Sequence, residues 1–433
     1  MSAVTTSPPA AATPPAGKFR PTWPVVLLGV AGLLVLLSLT RIVTGAHDIT
    51  SSGTVSAALG LAVPIGLAGL GGLWSERSGV VNIGLEGMMI LGTWFGAWGA
   101  LITGNPWAGV VAGALGGAVA GVLHAIATVT FGVDHVVSGV AIILLGTGIA
   151  KYLSALIFST MKGGGDTQSP RIPGMQSVGL WGPAGDNKWI LFEGADPLRT
   201  LESQRWFFVS DLAGVLRGLT TNVSLFTILA LLLVPLSFWL LWRTAFGLRL
   251  RACGERPVAA ESLGVNVYYY KYVAVIVSGA LAGLGGAFLS IVAAGTYREG
   301  QTGGRGFIGL ATVIFGNWRP GGLAAGAGLF GYTDALQLRQ GGTSVHALLL
   351  VVALLLAAVA VYQLVRLSRN RAALLTGVSA IAVFAVFAIT DTVPEQFTSF
   401  TPHLTTLLVL SLASQRLRMP AADGLPYRRG QAK

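Results

Sequence analysis

Charge is scarce in this chain: Asp, Glu, Lys and Arg make up 10% of 433 residues, where soluble globular chains carry about 25%. With 53% hydrophobic side chains and a mean hydropathy of +0.70, a water-soluble domain is excluded. Cysteine is almost absent. The single Cys253 rules out an internal disulfide framework and any multi-cysteine metal site. The five histidines are scattered, and no G-x-S-x-G or H-E-x-x-H run occurs, so nothing supports a hydrolase or zinc-enzyme reading. A phosphate-cradling G-x-x-x-x-G-K-[ST] loop is missing as well. Lys18 is the only lysine that follows a glycine, and Phe19 follows it.

What the chain has in quantity is glycine, 60 residues, which lets helices approach closely where lipid supplies no drive toward association. The net charge of +11 raises the question of nucleic acid, but basic side chains in a membrane protein mark cytoplasmic loops and anionic headgroups. Membrane lipid, and no nucleic acid, is the expected contact.

A bilayer core about 30 Å thick needs roughly 20 apolar helical residues. Runs of that kind are Trp23 to Leu39, Val55 to Leu73, Val81 to Ile102, Trp107 to Phe131, Val136 to Phe158, Val223 to Trp242, Val273 to Ala294, His346 to Tyr362 and Ala372 to Ile389. Phe307 to Trp318 and Gly321 to Leu336 are short and separated by Arg319-Pro320, which predicts a broken or re-entrant pair. His403 to Ser414 is a short final span. The expected fold is all-α, a polytopic membrane protein with about ten to twelve crossings.

Residues 1–22, rich in Pro, Ala, Ser and Thr, read as a disordered cytoplasmic tail ahead of a retained first span, since no small-x-small cleavage site follows. Residues 23–415 form the membrane domain and 416–433 a basic tail. Basic residues cluster at Arg243, Arg249, Arg251, Arg256 and Lys271, again at Arg366, Arg369 and Arg371, and again at Arg416, Arg418, Arg428, Arg429 and Lys433. These segments, with Lys18 and Arg20, face the cytoplasm by the positive-inside rule, so both termini lie inside. Residues 159–222 then fall outside, with six basic and six acidic residues in balance; they read either as a cap over an entrance or as a partly ordered linker.

Leu67-Ala68-Gly69-Leu70-Gly71-Gly72 recurs letter for letter as Leu281 to Gly286, and each copy precedes an Ile-Gly-Leu, at Ile83 and at Ile308. In this topology the copies run in opposite directions, the arrangement of an inverted repeat, although a chain dominated by Ala, Gly and Leu also produces such echoes by chance.

Ionisable groups inside spans are costly and point to function by default. Glu86, His124, Lys151 and Asp334 qualify. Glu86 stands out because Asn82, Gly84 and Gly87 flank it and can interrupt the helix; the structural alternative is a carboxylate satisfied by a neighbouring helix. For His124 and Lys151 the structural reading leads, with side chains near span ends reaching for the interface. Residues 243–271 form a cytoplasmic loop in which Pro257 suits a first helical turn and Gly264 a C-terminal cap, so a short surface helix fits between them.

The stretch Ser75-Glu76-Arg77-Ser78-Gly79-Val80-Val81-Asn82-Ile83-Gly84-Leu85-Glu86-Gly87-Met88-Met89 resembles the signature of nucleoside-type ABC importer permeases, within the broader family of branched-chain amino acid and simple-sugar permeases. The likeness extends to Val137 to Ile142, Gly254 to Gly264, Gly304 to Gly316 and Pro420 to Tyr427, and so covers most of the chain from Val55 onward. It implies that Gly254, Glu255, Arg256, Pro257, Ala259, Ala260, Glu261, Leu263 and Gly264 form a coupling helix that docks on an ATPase. It also implies a second, homologous permease subunit, a cytoplasmic ATPase with two nucleotide-binding cassettes that holds ATP and Mg, and an extracytoplasmic solute-binding lipoprotein. No cofactor is expected in this chain itself.

On that reading solute passes by alternating access, and broken segments around Asn82 to Met88 and Phe307 to Phe315 line its path. The candidates are Asn82, Glu86, Met88, Trp94, Phe307, Thr312 and Phe315, with Trp94 and Trp98 able to stack on a base or to serve as interfacial anchors. Simple sugars and branched-chain amino acids are the nearer alternatives as cargo, and a stand-alone proton-coupled carrier built on Glu86 the farther one. Two features depart from the family pattern: the long segment 159–222 and an additional helix pair at 346–389.

Overall fold

The computed structural model describes residues 23–182, 187–339, 341–367, 370–398 and 417–430. The expected tail at 1–22 and the expected span His403 to Ser414 lie outside the described residues. The first five helices are α1 (Trp23–Thr44), α2 (Ser52–Arg77), α3 (Leu85–Thr103), α4 (Pro106–Ala125) and α5 (His135–Ile157). A mixed stretch follows with β1 (Ser177–Gly182), β2 (Lys188–Glu193), α6 (Pro197–Ser203), α7 (Val209–Thr220) and β3 (Val223–Ser224). Then come α8 (Leu225–Arg243), α9 (Ala245–Glu255), α10 (Pro257–Ser262), α11 (Val267–Phe288), α12 (Arg305–Phe315), α13 (Pro320–Leu338), α14 (Gly341–Leu367), α15 (Asn370–Ile389) and α16 (Glu395–Thr398). Among the described residues nine helices are long and apolar enough to cross a membrane: α1 to α5, α8, α11, α14 and α15.

The helix starts carry the chemistry that their sequences announce. Pro106 opens α4 behind Asn105, whose side chain accepts from Trp107 N, and Asp134 caps α5 by accepting from the amides of Val136 and Val137. Ser224 and Asn266 cap α8 and α11 in the same way. Each cap satisfies donors that the first helical turn leaves unpaired.

Three boundaries differ from the sequence reading. The third span begins at Leu85, not at Val81, because the backbone of Val81 is held by side chains: His135 Nδ1 accepts from its N–H at 3.2 Å and His124 Nε2 faces its carbonyl at 3.2 Å. The helix interruption therefore lies before Glu86 rather than around it. α11 begins at Val267, so Lys271 is a buried helical residue and not part of an exposed basic loop. α12 is one unbroken helix of 11 residues, about 16 Å long, too short for a core of about 30 Å; the irregular stretch precedes it at 294–304. The predicted break between α12 and α13 is present, with Asn317 (φ 50°) and Trp318 (φ 53°) in the left-handed region and Pro320 starting α13.

The centre of the membrane domain is the packing of α2, α3, α4 and α11, with α12 and α13 against α2. The two Leu-Ala-Gly-Leu-Gly-Gly copies lie on α2 and α11, which pack antiparallel: Gly71 abuts Ser278 while Gly285 abuts Pro64. Glycine makes the α4–α11 contact possible. A Cβ on Gly117 would stand 2.2 Å from the Gly279 carbonyl, and one on Gly283 would stand 2.3 Å from the Gly113 carbonyl, so the backbones touch directly. α14 and α15 pack on one another at the periphery, joined by a stacked pair of His346 and Phe387 rings 4.6 Å apart, and α14 also meets α1 and α13.

Residues 159–222 are folded rather than linker-like over most of their length. Strand order is β2-β1-β3, with β1–β2 parallel and β1–β3 antiparallel. The segment is fixed to the C-terminal end of α1 by charge, with Arg41 Nε 2.8 Å from Asp211 Oδ1 and both side chains buried; within the segment Arg217 meets Asp196 at 2.6 Å and Glu202 at 3.1 Å, and Arg217 Nη1 donates to Ser52 Oγ of α2 at 3.0 Å. Glu202 also accepts from Ser52 N at 2.8 Å, at the first turn of α2. The Asp196 carboxyl is held below its ordinary range: burial opposes this, but hydrogen bonds from Arg217 and Arg199 outweigh it.

Two substitutions and one control test this frame. Replacing Asp211 by Ala strands the Arg41 cation in a buried site and should lower stability by about 3–5 kcal/mol, read as an earlier thermal unfolding transition of the purified chain. Gly283→Leu should abolish recovery of monodisperse protein in detergent, since overpacking against backbone has no soft neighbour to displace. Gly148→Ala, where nothing lies within 4 Å of the added Cβ, should elute as the parent does.

Candidate functional site

The site is organised around α12. Its N-terminus does not start at a membrane surface: Gly309 packs on Ile65 and Gly69 of α2, roughly two to three turns inward from the end of α2 at Arg77. The first turn of any helix leaves N–H groups without partners, and in an apolar interior such groups need acceptors. Glu86 supplies them. Its two carboxylate oxygens accept from Gly304 N at 2.9 Å and Gly306 N at 2.7 Å, and the residue is only 6% exposed. A carboxylate at this end also complements the positive pole of the helix dipole. Gly306 is required for the contact, because a Cβ there would stand 2.6 Å from Glu86 Cα.

The other end of α12 is held by the same sequence stretch. Arg77 donates to the Trp318 carbonyl from Nε at 3.0 Å and from Nη2 at 2.7 Å, and Trp318 Nε1 donates to Glu76. Arg77 and Arg251 both stand over the Trp242 ring of α8, at 5.3 and 5.4 Å. Residues Ser75 to Met89 thus grip α12 at both ends. Between the grips runs the 78–84 connection, secured by the two histidines at Val81, by Lys271 Nζ donating to the Gly79 carbonyl at 3.3 Å, and by Asn82 Nδ2 donating to Ser278 Oγ at 2.8 Å.

That connection rests directly on the α9–α10 segment. Gly254 approaches so closely that a Cβ would lie 2.4 Å from the Arg77 carbonyl and 3.0 Å from Gly79 N. Pro257 does open a short helix, α10, and Gly264 (φ +81°) follows its end, as the sequence predicts. Ala260 is buried beneath α10 and Glu261 accepts from Tyr427 OH at 2.6 Å, whereas Val258 and Ala259 are exposed and Leu263 is 84% exposed. Glu255 and Arg256 are exposed, with Glu255 3.8 Å from Arg77. Burial pushes the Cys253 thiol in α9 up to about 11, which leaves it a neutral packing residue. Asp423 in the C-terminal segment is raised to about 7 by burial, against the opposing pull of Lys271.

The predicted path residues separate into two kinds. Asn82, Met88, Trp94 and Thr312 are buried in contacts: Asn82 Nδ2 also approaches Met88 Sδ at 3.3 Å, Trp94 Nε1 donates to Ser154 Oγ at 3.1 Å with its ring among Phe95, Trp98 and Phe158, and Thr312 donates to the Gly309 carbonyl at 2.6 Å. Phe315 is partly exposed and stacks on Phe330 at 5.7 Å, and Phe307 is exposed. Of the other ionisable residues, His124 is buried and bonded to Ser138 Oγ at 2.8 Å, Lys151 is exposed and 3.8 Å from Glu299, and Asp334 is partly exposed on α13. Sequence reasoning missed the polar stretch that feeds α12: Gln301 Nε2, Arg305 Nε and Thr296 Oγ1 are buried without a hydrogen-bond partner, as is Asn82 Oδ1. The signal was available in the run Arg298-Glu299-Gly300-Gln301-Thr302-Gly303-Gly304-Arg305, polar residues and glycines between two apolar stretches. By contrast, the cleft between α2, α8 and α13, lined by Leu59, Val63, Leu67, Leu231, Leu323 and Ala327 among others, offers no polar side chain and does not suit a polar solute.

Comparison with known proteins bears on what this geometry serves. Residues 54–359 match the family described as branched-chain amino acid transport system / permease component. The guanosine ABC transporter permease protein of Bacillus subtilis is 30% identical over 386 residues, 87% of this chain and 97% of that protein. The nucleoside ABC transporter permease protein of Lactococcus lactis is 30% identical over 373 residues, 84% of this chain and 93% of that protein. A putative glucose ABC transporter permease protein of Haloferax volcanii is 35% identical over 291 residues, 67% of this chain and 78% of that protein. No solved structure matches the chain.

Removing the carboxylate tests the α12 cap. Glu86→Ala orphans two buried N–H groups at about 1–3 kcal/mol each, and should shift thermal unfolding to lower temperature. Glu86→Gln, which keeps one acceptor oxygen, should fall between Ala and the parent; a Glu86→Ala transition indistinguishable from the parent's would contradict the cap.

Proposed function

From the premise that this chain belongs to the branched-chain amino acid transport system permease family, a multi-pass membrane permease component of an ABC importer, we propose that it moves nucleosides inward by alternating access. The relatives named for guanosine and for nucleosides, each aligned over more than nine-tenths of its own length, support that cargo. The observation that carries the mechanism is the grip of residues 75–89 on both ends of α12, because the same stretch rests on α9–α10. A push on α10 passes through Gly254 and Gly79 to a helix whose inner end lies in the membrane. The solute path follows the open side of that helix, past Gln301, Arg305 and Phe307.

The energy source is a separate ATPase with two nucleotide-binding cassettes, which supplies the ATP and Mg sites that the sequence of this chain lacks as a P-loop motif. α10 is its coupling helix, with Leu263, Val258 and Ala259 as the docking face. A second homologous permease subunit completes the cavity, and an extracytoplasmic lipoprotein delivers solute to the face that carries residues 159–222. Both termini are cytoplasmic, following the basic residues around α9 and in the 416–433 tail. Family membership leaves no room for a stand-alone proton carrier, and Glu86, engaged by two backbone donors, is already committed to structure.

The relative named for glucose favours a second cargo class, simple sugars. Uptake of labelled guanosine, and competition by unlabelled nucleosides against glucose and leucine, separates them: nucleosides should compete and glucose should not. Docking is tested by Leu263→Asp, at the exposed C-cap of α10. That variant should retain the parent's melting behaviour while ATP-dependent uptake falls at least about tenfold; normal uptake would overturn the assignment of α10.

A further inference from the structure

The C-terminal segment is seated on the α9–α10 face and the adjoining turn at three points. Arg418 N donates to Asn317 Oδ1 at 2.7 Å, in the turn between α12 and α13. Ala422 N donates to the Gly254 carbonyl at 2.8 Å and Ala421 N to Glu255 Oε2 at 3.3 Å, at the α9–α10 junction. Tyr427 OH donates to Glu261 Oε2 of α10 at 2.6 Å, and its ring lies 5.6 Å from that of Tyr268 at the start of α11. A Cβ on Gly79 would stand 3.1 Å from the Ala422 carbonyl, so the segment also lies against the 78–84 connection. Backbone groups and one hydroxyl make these bonds, which fixes the register of the segment on α10.

While one side is bonded inward, the other side is open. Leu417, Met419 and Leu425 are exposed, on the segment bonded to Gly254, Glu255 and Glu261 of α9–α10. Arg256, Arg418, Arg428 and Arg429 are exposed around them. An apolar centre with a basic rim is suited to a partner surface that offers an apolar groove edged with carboxylates. The bonds to Gly254, Glu255 and Glu261 attach these residues to the helix assigned to docking, which selects their occupant.

We infer that Leu417–Tyr427 is a second contact element for the ATPase, locked to the coupling helix so that both meet the partner as one surface and transmit its movement to the α12–α13 turn together. This rests on the assignment of α10 as the docking helix. The partner recognised is a protein whose facing surface is apolar with an acidic edge.

The test uses the full chain in lipid nanodiscs and the purified ATPase that copurifies with it, identified by its own G-x-x-x-x-G-K-[ST] sequence. The measured quantity is the ATPase concentration at half-saturation. Combined Met419→Asp and Leu425→Asp, two exposed positions that leave the inward bonds intact, should raise it about tenfold, and Leu263→Asp should do likewise. Arg428→Glu, also exposed, should raise it with a smaller salt dependence than the parent shows. Tyr427→Phe should bind within about twofold of the parent yet lower ATP-driven uptake at saturating ATPase, because the hydrogen bond to α10 is lost while the ring remains. If Leu263→Asp weakens binding but the Met419/Leu425 pair and Arg428→Glu do not, the inference falls and α10 docking stands. Should Leu263→Asp bind as the parent does, the docking assignment itself falls and the inference with it.

Discussion

Glu86 is the interaction on which the membrane domain turns. A helix that begins inside an apolar slab presents unpaired amide groups to surroundings that cannot solvate them, and one carboxylate reaching across from α3 answers two of them. The charge on the carboxylate and the pole of the helix complement each other, so neither is isolated. Without such a partner the chain would have to extend α12 to the surface or bury its end at a cost of several kcal/mol. The cap lets α12 begin beside the buried polar atoms of Gln301 and Arg305 with its own first-turn amides satisfied.

From that cap the remaining structure acquires a direction. The stretch that contributes Glu86 begins with Glu76 and Arg77 on the far end of α12 and passes over Gly254 on the way. Its polar residues, which hydropathy does not call for, are all mechanically engaged. Two histidines and a lysine pin the 78–84 connection, Asn82 ties it to α11, and the acidic residues hold the helix. These side chains make contacts within the chain that hold α12 and the 78–84 connection in place.

Much of this could be read from the letters. Long apolar runs located the spans, Arg319-Pro320 marked the break before α13, Pro257 and Gly264 bounded α10, and the doubled Leu-Ala-Gly-Leu-Gly-Gly ran antiparallel as expected. What remained hidden depends on distance along the chain. Apolar periodicity does not reveal that Val81 leaves the helical pattern to satisfy two histidines more than forty residues away, or that Lys271, one basic residue among several near a helix start, turns inward to Gly79. Trp94 looks like a stacking platform in isolation and is a core residue in place. The polar lead into α12 was overlooked because a hydropathy scan treats such stretches as loops, whereas here Gln301 and Arg305 place buried polar atoms at the inner start of a helix.

The glycine seam between α4 and α11 has a consequence for biosynthesis. Those helices meet backbone to backbone, yet α4 enters the bilayer long before α11 has been synthesised, with α5 to α10 and the three strands between them. During that interval Gly109 and Gly113 can pack on α3, which precedes α4, but the α11 backbone that Gly117 abuts is still missing. The backbone contact at Gly117 therefore forms only after α11 has been made, so part of the packing of the first half waits on the second.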